Sequence, residues 1–303
     1  MQTRYILLTA AKDEEDYIGE AIRSVVRQTV LPLAWFIMDD GSSDRTAAIV
    51  ERFAAKHPFI HLNFTGFRGG RNFGSQYKAI QAAYELARTL EFDFVGVHDA
   101  DIAPEGADYY ELILQEFHRN PKLGVAGGFI YERSHGKWQC RLGNSTDSVA
   151  GGIQMFRRDC FDQIGGYTPL QYGGSDSLAQ LDARMAGWEV LAFPEKHVLH
   201  YRPTSSAGGE LRGAFRAGLM DASFGSHPVF ELFKCCRRIA SSPFVLGSAV
   251  RLSGYIWWQL TGRKPVIRAE KVAFLRRSQM DKLRRRIWLL GAAQESQLRR
   301  SSI

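Results

Sequence analysis

The chain has little of what would mark a secreted protein or a metal-cluster protein. It holds four cysteines, and their spacing fits neither a zinc site nor a disulfide framework. No charged segment followed by an apolar one precedes the first strand, as a secretory signal would require. We therefore expect reduced thiols and a cytoplasmic location. Apolar residues make up 45% and charged residues 23% of the 303, which is typical of a globular protein with a sizeable core.

A membrane-spanning segment is not predicted either, because such a helix needs about 20 predominantly apolar residues. The nearest match, residues 239–260, is interrupted by Pro243 and Arg251. Behind it the tail from residue 261 carries 12 Lys or Arg against 3 Asp or Glu, while residues 1–260 sum to −2. Either this segment contacts an anionic membrane surface, or it is a core-packing helix with a solvated basic face.

Short apolar runs and amphipathic stretches alternate through the first hundred residues, and no internal repeat is present. The pattern predicts strands at 4–9, 33–38, 59–64 and 92–97, with helices near 18–26, 45–56 and 74–90 between them. Strands that alternate with helices indicate a parallel sheet with right-handed crossovers. In such sheets, ligands bind beyond the carboxyl ends of the strands.

Polar clusters follow three of these strands, at 9–15, 39–44 and 98–101, so we expect them to share one pocket. In the last cluster, Asp99 and Asp101 are two residues apart and point to the same side of an extended chain. Two carboxylates at a strand end suit Mg²⁺ or Mn²⁺ held jointly with a phosphate. The alternative is a solvated turn.

The second half is less regular. Strands are predicted at 123–130, 151–156, 189–193 and 197–201, with an irregular polar stretch at 131–143. A short helix at 157–164 is closed by two glycines, and another begins near Ser175. From Glu210 the pattern is helical to the end.

Taken together, these segments resemble the family-two glycosyltransferases. The matching motifs, in chain order, are Leu8-Thr9 with Asp13-Glu14-Glu15, Met38-Asp39-Asp40-Gly41-Ser42-Ser43-Asp44, His98-Asp99-Ala100-Asp101, Gly152 with Phe156-Arg157-Arg158 and Gly165-Gly166-Tyr167, and Ser175-Asp176 with Arg184 and Gly187. The resemblance covers about residues 4–202. It implies an α/β GT-A fold, a Rossmann-like mixed sheet flanked by helices, and inverting transfer from a nucleotide sugar.

The resemblance also implies which residues hold the donor. Thr9 and Glu14 would line the nucleotide pocket, Asp40 would accept a hydrogen bond from the base, and Asp99 would face the ribose and sugar. Arg71, in a Gly-rich basic loop, is a further candidate beside the phosphates, although most such cations are simply solvated.

For the chemistry, the resemblance implies that Asp101 binds a divalent metal, Mg²⁺ or Mn²⁺, and that His200 completes its shell. It assigns Asp176 as the general base. The alternative for Asp176 is an acid in the first turn of a helix, favoured there by the helix dipole.

The sequence departs from the family pattern in two respects. Ser175 stands where the family commonly has Glu, and the Gln-x-x-Arg-Trp motif of processive synthases is missing. Because this motif and the several spanning helices of those synthases are missing, we expect a single-addition enzyme. Its predicted regions are a nucleotide-sugar half (1–122), an acceptor and catalytic half (123–209) and a basic helical extension (210–303).

The predicted function is transfer of one sugar, from a UDP-sugar by preference, to a glycan or lipid-linked saccharide in cell-surface polysaccharide or glycolipid synthesis, at the inner face of the cell membrane. A sugar-nucleotide pyrophosphorylase is the first alternative, but the turn at 9–14 lacks the glycines that such an enzyme needs. The second is a non-catalytic scaffold whose tail binds acidic lipid or nucleic acid. No nucleic-acid motif accompanies the tail, so we expect no nucleic-acid partner.

Overall fold

The computed structural model describes residues 3–66, 73–134, 136–202, 209–239 and 244–300. The chain divides into two compact units, a first unit, Met1–Thr204, and a second unit, Ser205–Ile303. The further division of the first unit into a donor half and an acceptor half stays a prediction.

The first unit begins with alternating strands and helices. Their bounds are β1 (Tyr5–Ala11), α1 (Ile18–Val26), β2 (Ala34–Asp39), α2 (Thr46–Ala54), β3 (Ile60–Phe64), α3 (Phe73–Ala87) and β4 (Phe94–Val97). These four strands lie in the order β3-β2-β1-β4 and are mutually parallel. The alternation in the sequence therefore predicted this half of the sheet.

The sheet continues with strands of both directions. The remaining elements of the first unit are β5 (Ile102–Pro104), α4 (Tyr109–Arg119), β6 (Leu123–Ser134), β7 (Lys137–Cys140), β8 (Met155–Arg157), α5 (Arg158–Ile164), α6 (Ser175–Met185) and β9 (Glu189–His200). The order runs on as β4-β8-β6-β9-β5, and β7 pairs with β6. Strand β8 is antiparallel to both of its neighbours, so the nine-stranded sheet is mixed.

Three sequence predictions in this half need correction. The stretch 131–143 is not irregular, because β6 and β7 form a hairpin through it. Residues 151–156 are a short 3₁₀ turn leading into β8, not one strand. The two strands predicted at 189–193 and 197–201 are one strand, β9, with an irregular register. Strand β7 is exposed throughout, so it has no apolar run to reveal it.

The core lies on both faces of the sheet. In β1, Tyr5 and Leu7 pack into one apolar cluster, whereas Ile6 and Leu8 pack into the other. Side chains alternate across a strand, so a strand covered on both faces needs a continuous apolar run. This burial fixes the strands whose ends carry the polar clusters.

The second unit is helical, with α7 (Glu210–Ser223), α8 (Pro228–Arg238), α9 (Phe244–Leu260) and α10 (Ala269–Arg300). Helices α7 and α9 cross closely where both carry glycine. A methyl group at Gly218 would lie 2.0 Å from the carbonyl oxygen of Arg251, and one at Gly254 would lie 2.2 Å from that of Phe215.

Among the described residues, no helix is both long enough and apolar enough to cross a bilayer.

Candidate functional site

The candidate site is built where the chain leaves β4. Asp99 and Asp101 follow that strand directly, and β5 begins one residue later. Strand β9 pairs with β5 so that His200 lies opposite Ile102, and it pairs with β6 so that His200 lies opposite Glu132. The sheet register therefore brings His200 beside Asp101, although 98 residues separate them in the chain.

His200 lies between two carboxylates. Its Nε2 is 3.6 Å from Asp101 Oδ2, and its Nδ1 is 3.1 Å from Glu132 Oε1. Burial disfavours the charged imidazole, but Asp101 and Glu132 outweigh burial and raise the pKa of His200 to about 9. The ring is thus positively charged at neutral pH in the ligand-free protein.

Arg202 adds a second cation at this point. Its guanidinium forms an ion pair with Glu14 and lies 3.8 Å from Asp101 Oδ2, over the ring of Tyr17 at 5.0 Å. We call Asp101, Glu132, His200 and Arg202 the Asp101 cluster. Through Arg202, Glu14 from the end of β1 is joined to this cluster, which supports one shared pocket.

Asp99 and Asp176 each pack against one of two adjacent glycines, Gly152 and Gly151. A methyl group at Gly152 would lie 2.6 Å from Asp99 Oδ2, and one at Gly151 would lie 2.9 Å from Asp176 Cβ. Gln76 Nε2 donates to Asp99 Oδ1 at 3.0 Å. At positions 151 and 152 only glycine leaves room for the side chains of Asp176 and Asp99. The short turn before β8 therefore determines how closely these two carboxylates pack against the backbone.

Burial governs how these acids titrate. It raises the pKa of Asp99 to about 7, with further contributions from the neighbouring charges of Asp101 and Asp176. It also raises the pKa of Asp176, although the backbone N–H of Ser177 and the charge of Arg141 oppose this. Perturbed carboxyls gathered in one place are typical of functional sites.

Asp176 lies in the first turn of α6, which begins at Ser175 as the sequence predicted. Arg141, at the end of the β6–β7 hairpin, was not predicted as a site residue. Its Nε is buried and has no hydrogen-bond partner among the described residues. The hairpin itself is invisible as an apolar pattern, so no local signal pointed to this arginine.

The end of β2 contributes a further acidic pair. Asp40, which is 5% exposed, accepts a hydrogen bond from the Thr65 hydroxyl at 2.7 Å. Asp39, which is 2% exposed, accepts from the backbone N–H of Ser42 at 2.7 Å, and its Oδ2 has no partner among the described residues. The sequence singled out Asp40, whereas the unsatisfied acceptor belongs to Asp39.

Thr9, predicted to line the nucleotide pocket, lies near the end of β1. Its side chain is fully buried, donates to the carbonyl oxygen of His98 and accepts from Trp35 Nε1 at 2.8 Å. Thr9 makes both hydrogen bonds inside the core, and its role in the nucleotide pocket stays a prediction. The hydroxyl holds β1 against the segment that leads into Asp99. Arg71 lies outside the described residues.

Few side chains of the site could act as metal ligands. Within the described ranges, no group of three or more His, Cys, Asp and Glu side chains is arranged to hold an ion. Asp101 Oδ2 and His200 Nε2 are two donors on the same side of the cluster, 3.6 Å apart. Mg²⁺ usually takes one or two protein ligands and completes its shell with water and substrate phosphates. The pair therefore fits an ion shared with a diphosphate.

Comparison with known proteins identifies relatives of the first unit. The family model described as Glycosyl transferase family 2 matches residues 7–171. The poly-beta-1,6-N-acetyl-D-glucosamine synthase of Staphylococcus epidermidis is 29% identical over 177 residues, which are 52% of this chain and 40% of that protein. The chain thus matches less than half the length of the curated relatives.

Two solved structures share the fold. The mannosyltransferase PcManGT of Pyrobaculum calidifontis, in complex with GDP-Man and Mn2+, aligns with a TM-score of 0.57 at 16% identity, over 95% of this chain and 83% of that one. TarS 1-349 of S. aureus, in complex with UDP-GlcNAc, aligns with a TM-score of 0.53 at 12% identity, over 90% and 78%. These matches confirm the predicted fold.

Proposed function

Because the chain belongs to glycosyl transferase family 2 and is a glycosyltransferase, we propose that it moves one sugar from a nucleotide-diphosphate donor to a saccharide acceptor with inversion. One observation carries this proposal. Asp99 and Asp176 each pack against one of two adjacent glycines, while Asp101 lies two residues beyond Asp99 with His200 beside it. Carboxylates from distant parts of the chain therefore lie close together in the first unit.

Asp176 is the proposed general base. Burial raises the pKa of its carboxyl, which makes it a better proton acceptor than an exposed aspartate. It takes the proton of the acceptor hydroxyl while that oxygen bonds to the anomeric carbon. The bond from this carbon to the diphosphate oxygen breaks on the opposite face, and its electron pair leaves with the diphosphate. Attack opposite the leaving group inverts the configuration.

Asp101 and His200 are the proposed protein ligands of a divalent cation, Mg²⁺ or Mn²⁺. Such an ion supplies Lewis-acid stabilisation of the negative charge that develops on the diphosphate. His200 must release its proton to bind a metal, so metal and proton compete for its Nε2. Glu132, bonded to Nδ1, orients the ring in either case.

The metal assignment is tested by replacing two histidines of one strand. His200→Ala should raise the Mn²⁺ concentration needed for half-maximal activity by at least about tenfold, as losses around a metal site commonly do. His197→Ala is the matched control, because His197 lies three residues away and contacts Glu105 outside the cluster. Equal Mn²⁺ requirements for both variants would contradict the assignment.

The donor is proposed to be a UDP-sugar, and UDP-GlcNAc is the first to test. The support is the UDP-GlcNAc in the complex with TarS 1-349 and the N-acetylglucosamine polymer in the name of the matched synthase. Asp40 is proposed to accept from the base, and Asp99 to face the ribose and sugar. Glu14 is proposed to act in the pocket through Arg202, which also brings a cation toward the diphosphate.

The acceptor is proposed to be a glycan or a lipid-linked saccharide in polysaccharide or glycolipid synthesis. We further propose that the protein works at the inner face of the cell membrane. Residues 205–303 hold 18 Lys or Arg against 6 Asp or Glu, and basic segments are attracted to anionic lipid surfaces.

The function is tested with a donor panel of UDP-GlcNAc, UDP-glucose, UDP-galactose and GDP-mannose, supplied with Mn²⁺ and candidate saccharide acceptors. We expect release of UDP from one UDP-sugar and addition of a single sugar. Nuclear magnetic resonance of the product should show the anomeric configuration opposite to that of the donor. Retained configuration, or a polymeric product, would contradict the corresponding part of the proposal.

A further inference from the structure

Helix α9 has two faces of different character. One face is buried and packs against α7 and α8; its residues are Ser248, Arg251, Gly254, Tyr255 and Trp258. The opposite face exposes large apolar side chains, each 46–79% exposed; these are Val245, Leu246, Ile256, Trp257 and Leu260. The exposed positions between them, Ala249 and Ser253, carry no charge. We call this the α9 face.

The orientation of α9 is fixed by ion pairs on its buried side. Arg251 is the only charged residue of the helix, and its guanidinium is bound to Glu231 at 2.6 Å and to Asp221. Turning the helix to cover its apolar side would strip these buried charges of their partners, which is strongly unfavourable. The apolar residues are therefore held outward.

Cationic residues lie near both ends of helix α9. Ser248 donates to the carbonyl of Cys235 and Arg251 contacts Glu231, so α8 and α9 run antiparallel. The exposed Arg237 and Arg238 that end α8 thus lie at the beginning of α9. Exposed Arg263 and Lys264 follow its end, with Arg263 over the ring of Trp258 at 5.5 Å.

These charges distinguish between two possible partners of the α9 face, a second copy of the chain and a lipid surface. Two copies of the chain that meet through α9 would bring cationic ends together, whether the helices ran parallel or antiparallel. An anionic lipid surface instead complements both ends at once. Aromatic residues such as Trp257 favour the boundary between headgroups and acyl chains.

We propose that the α9 face docks in the plane of an anionic membrane, with its apolar side chains in the lipid boundary and its cationic ends on the headgroups. This deepens the membrane contact proposed above and names the element that makes it. It does not depend on the transfer reaction, because vesicle binding needs no donor.

The test uses the full chain and sonicated vesicles of phosphatidylcholine alone, or with 30% phosphatidylglycerol, at low salt. The wild type should co-sediment with the anionic vesicles. The triple variant Ile256→Ser, Trp257→Ser, Leu260→Ser should bind them at least about tenfold more weakly, since binding scales with buried apolar area. Leu86→Ser with Leu142→Ser, at exposed positions of the first unit, is the control and should bind normally.

A conservative variant guards against misfolding of the triple variant. Brominated phosphatidylcholine in the anionic vesicles should quench part of the tryptophan fluorescence, and Trp257→Phe should remove that part. Trp138→Phe, at another exposed tryptophan, should not remove it.

Unchanged vesicle binding by the triple variant would overturn the proposal. So would a dimer in sedimentation velocity that the triple variant loses, because a second copy would then occupy the face. UDP release from donor by the triple variant, without vesicles, separates this outcome from failure of the transfer proposal.

Discussion

One buried acid of each unit, Asp221 in the second and Asp176 in the first, shows how the two units differ. In the second unit, Lys234 and Arg251 outweigh burial and lower the pKa of Asp221, although burial and Asp221 raise the pKa of the neighbouring Glu231. In the first unit, burial wins over Arg141 and raises the pKa of Asp176. The units also differ in formal charge, −5 for residues 1–204 and +12 for residues 205–303. The two acids of the second unit, Asp221 and Glu231, lie among two cations, Lys234 and Arg251, whereas Asp176 has only the charge of Arg141 nearby to oppose its burial.

The largest effect in a test of this contrast is expected from replacing the proposed general base, Asp176. Asp176→Asn keeps the shape of the side chain but removes proton acceptance, so kcat should fall by about 10²–10⁴. Donor binding should be nearly unchanged, and vesicle binding unaffected. The rate is measured as UDP released in the presence of acceptor.

Asp159 provides the matched control, because it is an exposed acid in the first turn of another helix, α5. Asp159→Asn should leave kcat unchanged. If the two variants behaved alike, Asp176 would be only a helix-terminal acid, and the base would lie elsewhere.

The second test removes a cation from the buried cluster of the second unit, in which Asp221 and Glu231 pair with Lys234 and Arg251. Arg251→Met leaves Glu231 and Asp221 buried with one cation, Lys234, and should lower the free energy of unfolding by about 3–5 kcal/mol. Arg268→Met should cost at most about 1 kcal/mol, since Arg268 pairs with Glu270 at 4.0 Å with both side chains mostly exposed.

Urea unfolding of the full chain, followed by circular dichroism, measures both changes. Equal effects of the two substitutions would show that the buried cluster contributes no more than a surface pair.

The third test shifts an acid in the first unit without removing it. In Gly152→Ala the new methyl group would lie 2.6 Å from Asp99 Oδ2, so the carboxylate must move. A misplacement of about 1 Å can cost about 10²-fold in rate, and we expect a loss of that order.

Gly143→Ala is its control, since the nearest atom there lies at an ordinary 3.7 Å. Both variants should fold with the same far-ultraviolet spectrum. Full activity of Gly152→Ala would mean that the position of Asp99 is not critical.

The smallest effect concerns Arg141. Asp176 must be deprotonated to act, so activity should fall as the pH drops through its raised pKa. Arg141 favours the charged carboxylate, so Arg141→Gln should raise that pKa further and move the acidic limb of kcat/KM to higher pH. Arg133→Gln, exposed on the same hairpin, should leave the limb in place. A limb that moved to lower pH would contradict the proposed interaction.

Sequence reasoning succeeded where the signal is local. The apolar runs of β1 and β2 predicted buried strands, and Ser175 was identified as a helix start beside Asp176. The fold and family predictions are confirmed by the comparisons. With the family established as glycosyltransferases, the scaffold and pyrophosphorylase alternatives lose their basis.

It failed where a contact depends on register between distant strands. Arg202 meets Glu14 across 188 residues, and Glu132 meets His200 across 68. Neither pairing is visible in the hydrophobic periodicity of the sequence, because a charged residue near a strand end is indistinguishable there from an ordinary surface residue.

The central claim is that acids from separate strand ends bind a nucleotide diphosphate together with a divalent cation. Titration calorimetry of UDP into the wild type, with and without Mn²⁺, tests it most directly, with Asp101→Ala as the comparison. We predict that Mn²⁺ tightens UDP binding at least about tenfold in the wild type and has little effect in Asp101→Ala. UDP binding of equal strength with and without Mn²⁺ in both proteins would contradict the claim.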